Sequence, residues 1–241
     1  MPTSPKFPLF TFEFHSINYR VSIVGYILTA LLGYLLGSIP TGFLVAKARG
    51  LDIRTTGSGN IGATNVVRQF GIGLGIFVLL ADAFKGWFAV AVAAHLIWTW
   101  FEPAADLVSE GRLEIVGGVA AVLGHNFTCW LSFKGGKGIA TSGGVLLGLV
   151  PLSLLIIFVV WVIVFAATRY VSLASICASL ALPLATWLTG RSLTLIAVTS
   201  AMTALAVYKH KSNIQRLITG TESRFGNHKT TPQPATSGSK S

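Results

Sequence analysis

Between Gly138 and Thr168 the chain runs for 31 residues without one Asp, Glu, Lys or Arg. An uncharged stretch of that length belongs in hydrocarbon, because a hydrocarbon core is crossed by about 20 apolar residues. Further apolar runs cover about 21–46, 72–97, 115–132, 171–190 and 192–208. Only 11% of residues are charged against 52% hydrophobic, with mean hydropathy +0.69, whereas a soluble domain carries about a quarter charged residues. In water such a chain would leave too much apolar surface uncovered. The expected fold class is all-α: a polytopic integral membrane protein with a single transmembrane domain over 21–225. Residues 1–20 form an extension without the pattern of a signal peptide. Residues 226–241, rich in Thr, Ser and Pro, read as a disordered tail or an expression linker.

The uncharged stretch also decides the span count. As one helix it would rise about 46 Å, well past a hydrocarbon core of about 30 Å. The Gly143-Gly144 pair and Pro151 argue for a break, giving two short helices and seven spans in all, some short or broken. With seven, Arg49, Arg54, Arg68, Lys134, Lys137, Arg169, Lys209 and Lys211 share one side, and the acidic 102–114 segment takes the other. That is the positive-inside arrangement. The net charge of +10 is thereby explained without nucleic acid, for which no aromatic-rich basic surface or zinc spacing argues. Cys129 and Cys177 read as two small buried hydrophobes. Gly33 and Gly37, four apart, permit close helix contact.

Three polar stretches interrupt the apolar runs. Gly57-Ser58-Gly59-Asn60-Ile61-Gly62 fits GxGxxG literally, but a dinucleotide site needs a preceding strand within a βαβ unit, and here a membrane helix and basic loop precede it. What survives is local physics: glycines turn N–H groups toward one point, Ser58, Asn60, Thr64 and Asn65 donate to oxygens, and Arg68 adds a planar fork for phosphate or carboxylate. A tight loop satisfying its own polar groups is the alternative. Phe133-Lys134-Gly135-Gly136-Lys137-Gly138 is not a P-loop, because Gly138 stands where Ser or Thr is required. It still places two lysines near a helix N-terminus, as an anion site or as headgroup anchors. Lys209-His210-Lys211-Ser212-Asn213 closes the last run, with His210 and Asn213 one helical turn apart. Asp82 and Lys85 lie mid-span, where unpaired charge is costly, and serve either a structural ion pair or a site. His125 and Asn126 stay equally open. The sequon Asn126-Phe127-Thr128 falls on the inner side and is discarded.

Taken together, these stretches resemble the bacterial acyl-phosphate:glycerol-3-phosphate acyltransferase family. Its approximate patterns are GSGNxGATNxxR, FKGGKGxAT and YRHxxNIxRL. The chain reads Gly57 through Arg68, Phe133 through Thr141 and Tyr208 through Leu217 against them. Asp82-Ala83-Phe84-Lys85-Gly86, Gly124-His125 and Arg169 through Ser175 match further, over about residues 24–225 in all. The resemblance implies a seven-helix enzyme of the bacterial inner membrane whose site faces the cytoplasm. It moves a fatty acyl group from acyl phosphate to the sn-1 hydroxyl of glycerol 3-phosphate, giving lysophosphatidate and inorganic phosphate.

By that resemblance Ser58, Asn60, Arg68, Lys137, His210 and Asn213 are the expected catalytic residues. Gly57, Gly59, Thr64, Asn65, Lys85, Lys134, Gly136, Thr141 and Ser172 are the expected substrate-binding residues. No metal or cofactor is expected; the partners are the two substrates and membrane lipids, and the protein is expected as a monomer. Two departures stand out: Ser212 replaces a residue often acidic in relatives, and Thr128 stands where relatives often carry Pro. The rival class, a transporter of a phosphorylated solute, lacks paired inverted halves.

Overall fold

A computed structural model describes residues 10–96 and 112–226, with side chains from Ile23 onward. It is helical throughout the described residues: α1 Phe10–Ser38, α2 Thr41–Lys47, α3 Ala63–Phe70, α4 Ile72–Phe88, α5 Arg112–Asn126, α6 Ile139–Leu149, α7 Pro151–Thr168, α8 Val171–Leu188, α9 Leu193–Lys209 and α10 Lys211–Ile218. A π-turn at Ala89–Ala93 prolongs α4. Among the described residues, four helical stretches are long and apolar enough to cross a membrane, five if α9 and α10, bent by 57°, count as one span. The expected acidic outer segment and the tail lie almost wholly outside the described residues.

The breaks carry the fold. The run expected as one span over 21–46 is interrupted at Ile39–Pro40, because proline lacks an N–H and pushes its predecessor out of the helical region. Val150 takes φ −144°, and Pro151 starts α7 at a position where its missing N–H costs nothing. The 138–168 stretch is thus two helices. The run expected to reach residue 132 leaves the helix at Asn126 instead. Its last carbonyls are taken by a returning loop: Gly135 N–H donates to Asn126 and Gly136 N–H to His125, at 3.2 and 3.1 Å.

Small residues set the helix spacing. A Cβ on Gly37 would stand 2.0 Å from the Ala121 carbonyl, so α1 and α5 touch backbone to backbone as the glycine spacing anticipates. Gly144 does the same for α6 against α4, with the Ala83 carbonyl 1.8 Å from the imagined Cβ. A buried apolar cluster (Val122, Val145, Leu146, Val150, Ile157, Ala178, Leu182, Met202) joins α5 to α9. Meanwhile α7 turns Leu152, Leu155, Phe158, Val159 and Ile163 outward, as a lipid-facing helix does.

Candidate active site

The first polar stretch is a loop folded around one side chain. Asn65, at the start of α3 and 2% exposed, donates through Nδ2 to the carbonyls of Ile53, Thr56 and Asn60 at 3.2, 3.1 and 2.9 Å. Its Oδ1 accepts from the Ser58 N–H at 3.1 Å. Asn60 Oδ1 accepts from the Gly62 N–H at 2.8 Å. Gly57 and Gly59 hold φ of 58° and 67°, and a Cβ at Gly57 would fall 2.3 Å from Asn65 Oδ1. The asparagines therefore hold the loop in shape, while Ser58, Asn60, Thr64 and Arg68 line a cavity of about 390 Å³. No His or carboxylate hydrogen-bonds the Ser58 hydroxyl among the described residues.

The second stretch delivers Lys137 into the same cavity. Ser132 and Phe133 both take left-handed backbone at φ 53° and 61°, at a cost of about 1–2 kcal/mol each, to turn the chain back over α5. Lys134 projects outward, whereas Lys137 donates to Asn213 Oδ1. Burial lowers the Lys137 ammonium to about 8.

At the third stretch the helix bends. His210 stands at the elbow between α9 and α10 and Asn213 in the first turn of α10, and both line the cavity. His210 Nδ1 lies 2.8 Å from the Ala206 carbonyl. A carbonyl has no hydrogen to give, so Nδ1 carries the proton and the neutral ring offers Nε2 as an acceptor.

One carboxylate lining the cavity went unread in the sequence. Glu222 Oε1 accepts from Ser172 Oγ and Asn213 Nδ2, both at 2.8 Å, and Oε2 accepts from Arg216 Nε at 2.7 Å. Burial alone would raise its pKa, but these hydrogen bonds outweigh burial and hold it below the usual carboxylate range. Its signal was available: Glu222 is the single acidic residue after Glu114. Arg68 reaches the carbonyl of the adjacent Ser223 at 3.5 Å, and burial lowers its pKa.

Not every expected binding residue reaches the cavity. Thr141 is fully buried against Gly86 at the α4–α6 contact. Lys85 is committed to Asp82, the Ile39 carbonyl and His125. Gly136 instead lines a second, polar cavity of about 290 Å³, together with Lys209, Lys211 and Arg216. The two cavities share Ser58, Asn60, Lys137 and Asn213. They differ in their far walls. The larger one continues between α6, α7, α8 and α9 over Leu146, Leu154, Ile157, Phe158, Leu182 and Met202. No group of three His, Cys, Asp or Glu side chains is placed to hold a metal among the described residues.

The family described as Glycerol-3-phosphate acyltransferase matches residues 27–220. A glycerol-3-phosphate acyltransferase of Allorhizobium ampelinum is 45% identical over 88% of this chain and 98% of its own length. One of Geotalea daltonii is 49% identical over 80% and 93%. The crystal structure of PlsY (YgiH), an integral membrane glycerol 3-phosphate acyltransferase, superposes in its glycerol 3-phosphate form with TM-score 0.75 at 38% identity, covering 83% of this chain and 96% of that one. Its lysophosphatidic acid form gives TM-score 0.72. This chain belongs to the glycerol-3-phosphate acyltransferase family, as an integral membrane enzyme.

Proposed function

We propose that the acyl donor is acyl phosphate, that its chain occupies the larger apolar cavity, and that glycerol 3-phosphate enters the smaller cationic one. The observation that carries this reading is the shared wall: Ser58, Asn60, Lys137 and Asn213 border both cavities. A group transfer between an apolar and an anionic substrate needs such a boundary, where two reactants meet in fixed orientation. Leu79 and Phe158 line the larger cavity while also facing outward, Phe158 being 56% exposed. A fatty chain thus has an apolar way in and out, sideways toward lipid.

Phosphate is already a good leaving group, so the protein's task is to hold two anions and the developing charge. Lys137 and Arg68 supply fixed cations, and His210 Nε2 accepts from the second hydroxyl of glycerol 3-phosphate, leaving the proton of the attacking hydroxyl free. The hydroxyl oxygen bonds to the acyl carbon, the bond from that carbon to the phosphate oxygen breaks, and inorganic phosphate leaves. The hydroxyl proton passes to substrate phosphate, whose second pKa is near 6. Because Ser58 Oγ has no partner base among the described residues, direct transfer is favoured over an acyl-enzyme. The products are 1-acyl-glycerol 3-phosphate (lysophosphatidate) and phosphate, formed at the cytoplasmic face of the bacterial inner membrane by a seven-span monomer. The test is phosphate release from acyl phosphate by the purified protein. Release that depends on glycerol 3-phosphate supports the reading. Turnover with an acyl thioester and none with acyl phosphate would refute it.

A further inference from the structure

Beside the cavity, α4 and α5 bury a group of polar side chains that the transfer chemistry has not used. Lys85 Nζ stands 2.8 Å from Asp82 Oδ1, 2.8 Å from the Ile39 carbonyl and 3.0 Å from His125 Nδ1. An ammonium has three hydrogens and no lone pair, so these three contacts saturate it and make His125 Nδ1 an acceptor. The His125 proton is therefore on Nε2. Asp82 also accepts from the Thr41 hydroxyl at 3.1 Å, and its charge offsets that of Lys85. What remains is a neutral imidazole with its tautomer fixed.

That imidazole is 5% exposed yet lines the larger cavity. No hydrogen bond engages its Nε2 among the described residues, so the N–H there is free to donate to an acceptor from outside the protein. Gly136 is what leaves it room: a Cβ there would fall 2.2 Å from Nε2. The next residue is Lys137, and the Gly136 N–H is itself tied to the His125 carbonyl at 3.1 Å. The imidazole and the cationic loop therefore keep one level.

We propose that His125 is a further catalytic residue, whose Nε2–H donates to the carbonyl oxygen of the acyl donor as that oxygen becomes an oxyanion. Lys85 and Asp82 are positioning residues that hold the tautomer. The inference rests on the acyl-transfer reading above. Phosphate already has Lys137 and Arg68; a neutral, preorganised donor suits an oxygen that is nearly uncharged in the ground state and charged in the transition state. As the hydroxyl oxygen bonds to the acyl carbon, the carbonyl π pair moves onto the oxygen held by His125. When the pair returns, the bond to phosphate breaks. His125 keeps its proton throughout.

Two substitutions separate this role from a structural one. His125→Asn keeps an oxygen near the Nδ1 position for Lys85 but withdraws the donor from Nε2; His125→Gln returns an amide N–H near Nε2. The purified full-length protein in detergent is assayed with acyl phosphate and glycerol 3-phosphate, with thermal unfolding measured alongside. His125→Asn is expected to lower kcat by about 10²–10³ fold, the effect of one oxyanion donor, with the KM for glycerol 3-phosphate within about threefold. His125→Gln is expected to recover at least about tenfold of that loss. An unchanged kcat in His125→Asn overturns the proposal, as does an equal loss in both variants that falls on KM or on unfolding temperature. If the unmodified protein uses an acyl thioester instead, the acyl-phosphate reading fails. The same two variants are then compared on the thioester, whose carbonyl meets the same donor.

Discussion

Asn65 offers the sharpest test of how the first loop works, because its side chain makes four contacts within the loop and presents the neighbouring residues to the cavity. Its Nδ2 has two hydrogens but faces three carbonyls, so at least one hydrogen is shared and the amide is worth about two full bonds. The bond from Ser58 N–H to Oδ1 adds a third. At about 1 kcal/mol net for each, Asn65→Ala removes about 3 kcal/mol from the ordered loop. If the loop then has to be ordered at substrate binding, that sum is a factor of about 150 in kcat/KM, since 1.36 kcal/mol is tenfold. Asn65→Asp should be worse at the same volume: it turns the Nδ2 donor into an oxygen facing three carbonyls. The assay is steady-state turnover in detergent or reconstituted membranes, with thermal unfolding of each variant. Wild-type kcat/KM in Asn65→Asp would refute the reasoning, because no arrangement of that loop accommodates a carboxylate there unchanged.

Four further outcomes follow from the same geometry. Lys137, lowered to about 8 by burial, is protonated below that pH and loses its charge above it. The kcat/KM, which reports the free enzyme, should therefore fall as pH rises through about 8, and Lys137→Arg should move that alkaline limb upward. Lys137→Ala and Arg68→Ala should lose activity severely while the exposed Lys47→Ala stays mild; equal losses would make the cations lipid anchors. Single cysteines near residues 60, 134 and 212, in a background lacking Cys129 and Cys177, should all label from the cytoplasmic side. Opposite labelling at 212 would refute the proposed seven-span topology. His210→Gln, which keeps an acceptor near Nε2 but no basicity, should hold kcat within about tenfold; a fall of 10²–10⁴ with intact KM would make His210 the general base.

The all-helical membrane class and the polar stretches were legible because both rest on local rules, whereas four or five helices among the described residues, not seven, are long and apolar enough to cross. Unpaired charge is costly in hydrocarbon, so the runs declared themselves, and Pro151 marked its break on steric grounds. What stayed hidden depends on partners distant in sequence. The saturation of Lys85 involves Ile39 and His125, each about forty residues away, and no helical periodicity reports that. Glu222 stood in a basic stretch after the last apolar run, and its meeting with Ser172 across fifty residues follows from the packing of α8 near the bend at His210. The helix end at Asn126 was likewise set from outside, by the N–H groups of Gly135 and Gly136 competing for its last carbonyls.

Those breaks explain why a polar site exists in this fold at all. A helix that stops short in a membrane exposes carbonyls and N–H groups that lipid does not satisfy. Here side chains and loop amides around the site satisfy them. Thr128 Oγ1 donates to the Ser38 carbonyl at 2.6 Å, Lys85 to Ile39, and Lys209 to Asn126 at 2.8 Å. Cations that cap broken helices are therefore bound to the fold, whereas Lys137 and Arg68 line the cavity and keep further N–H donors beyond their contacts with Asn213 and Ser223. The division has a consequence for mutagenesis. Loss of Lys85 or Lys209 strips a partner from a buried carbonyl and should lower stability together with activity. Loss of Lys137 or Arg68 should lower activity while leaving the melting temperature close to that of the unmodified protein.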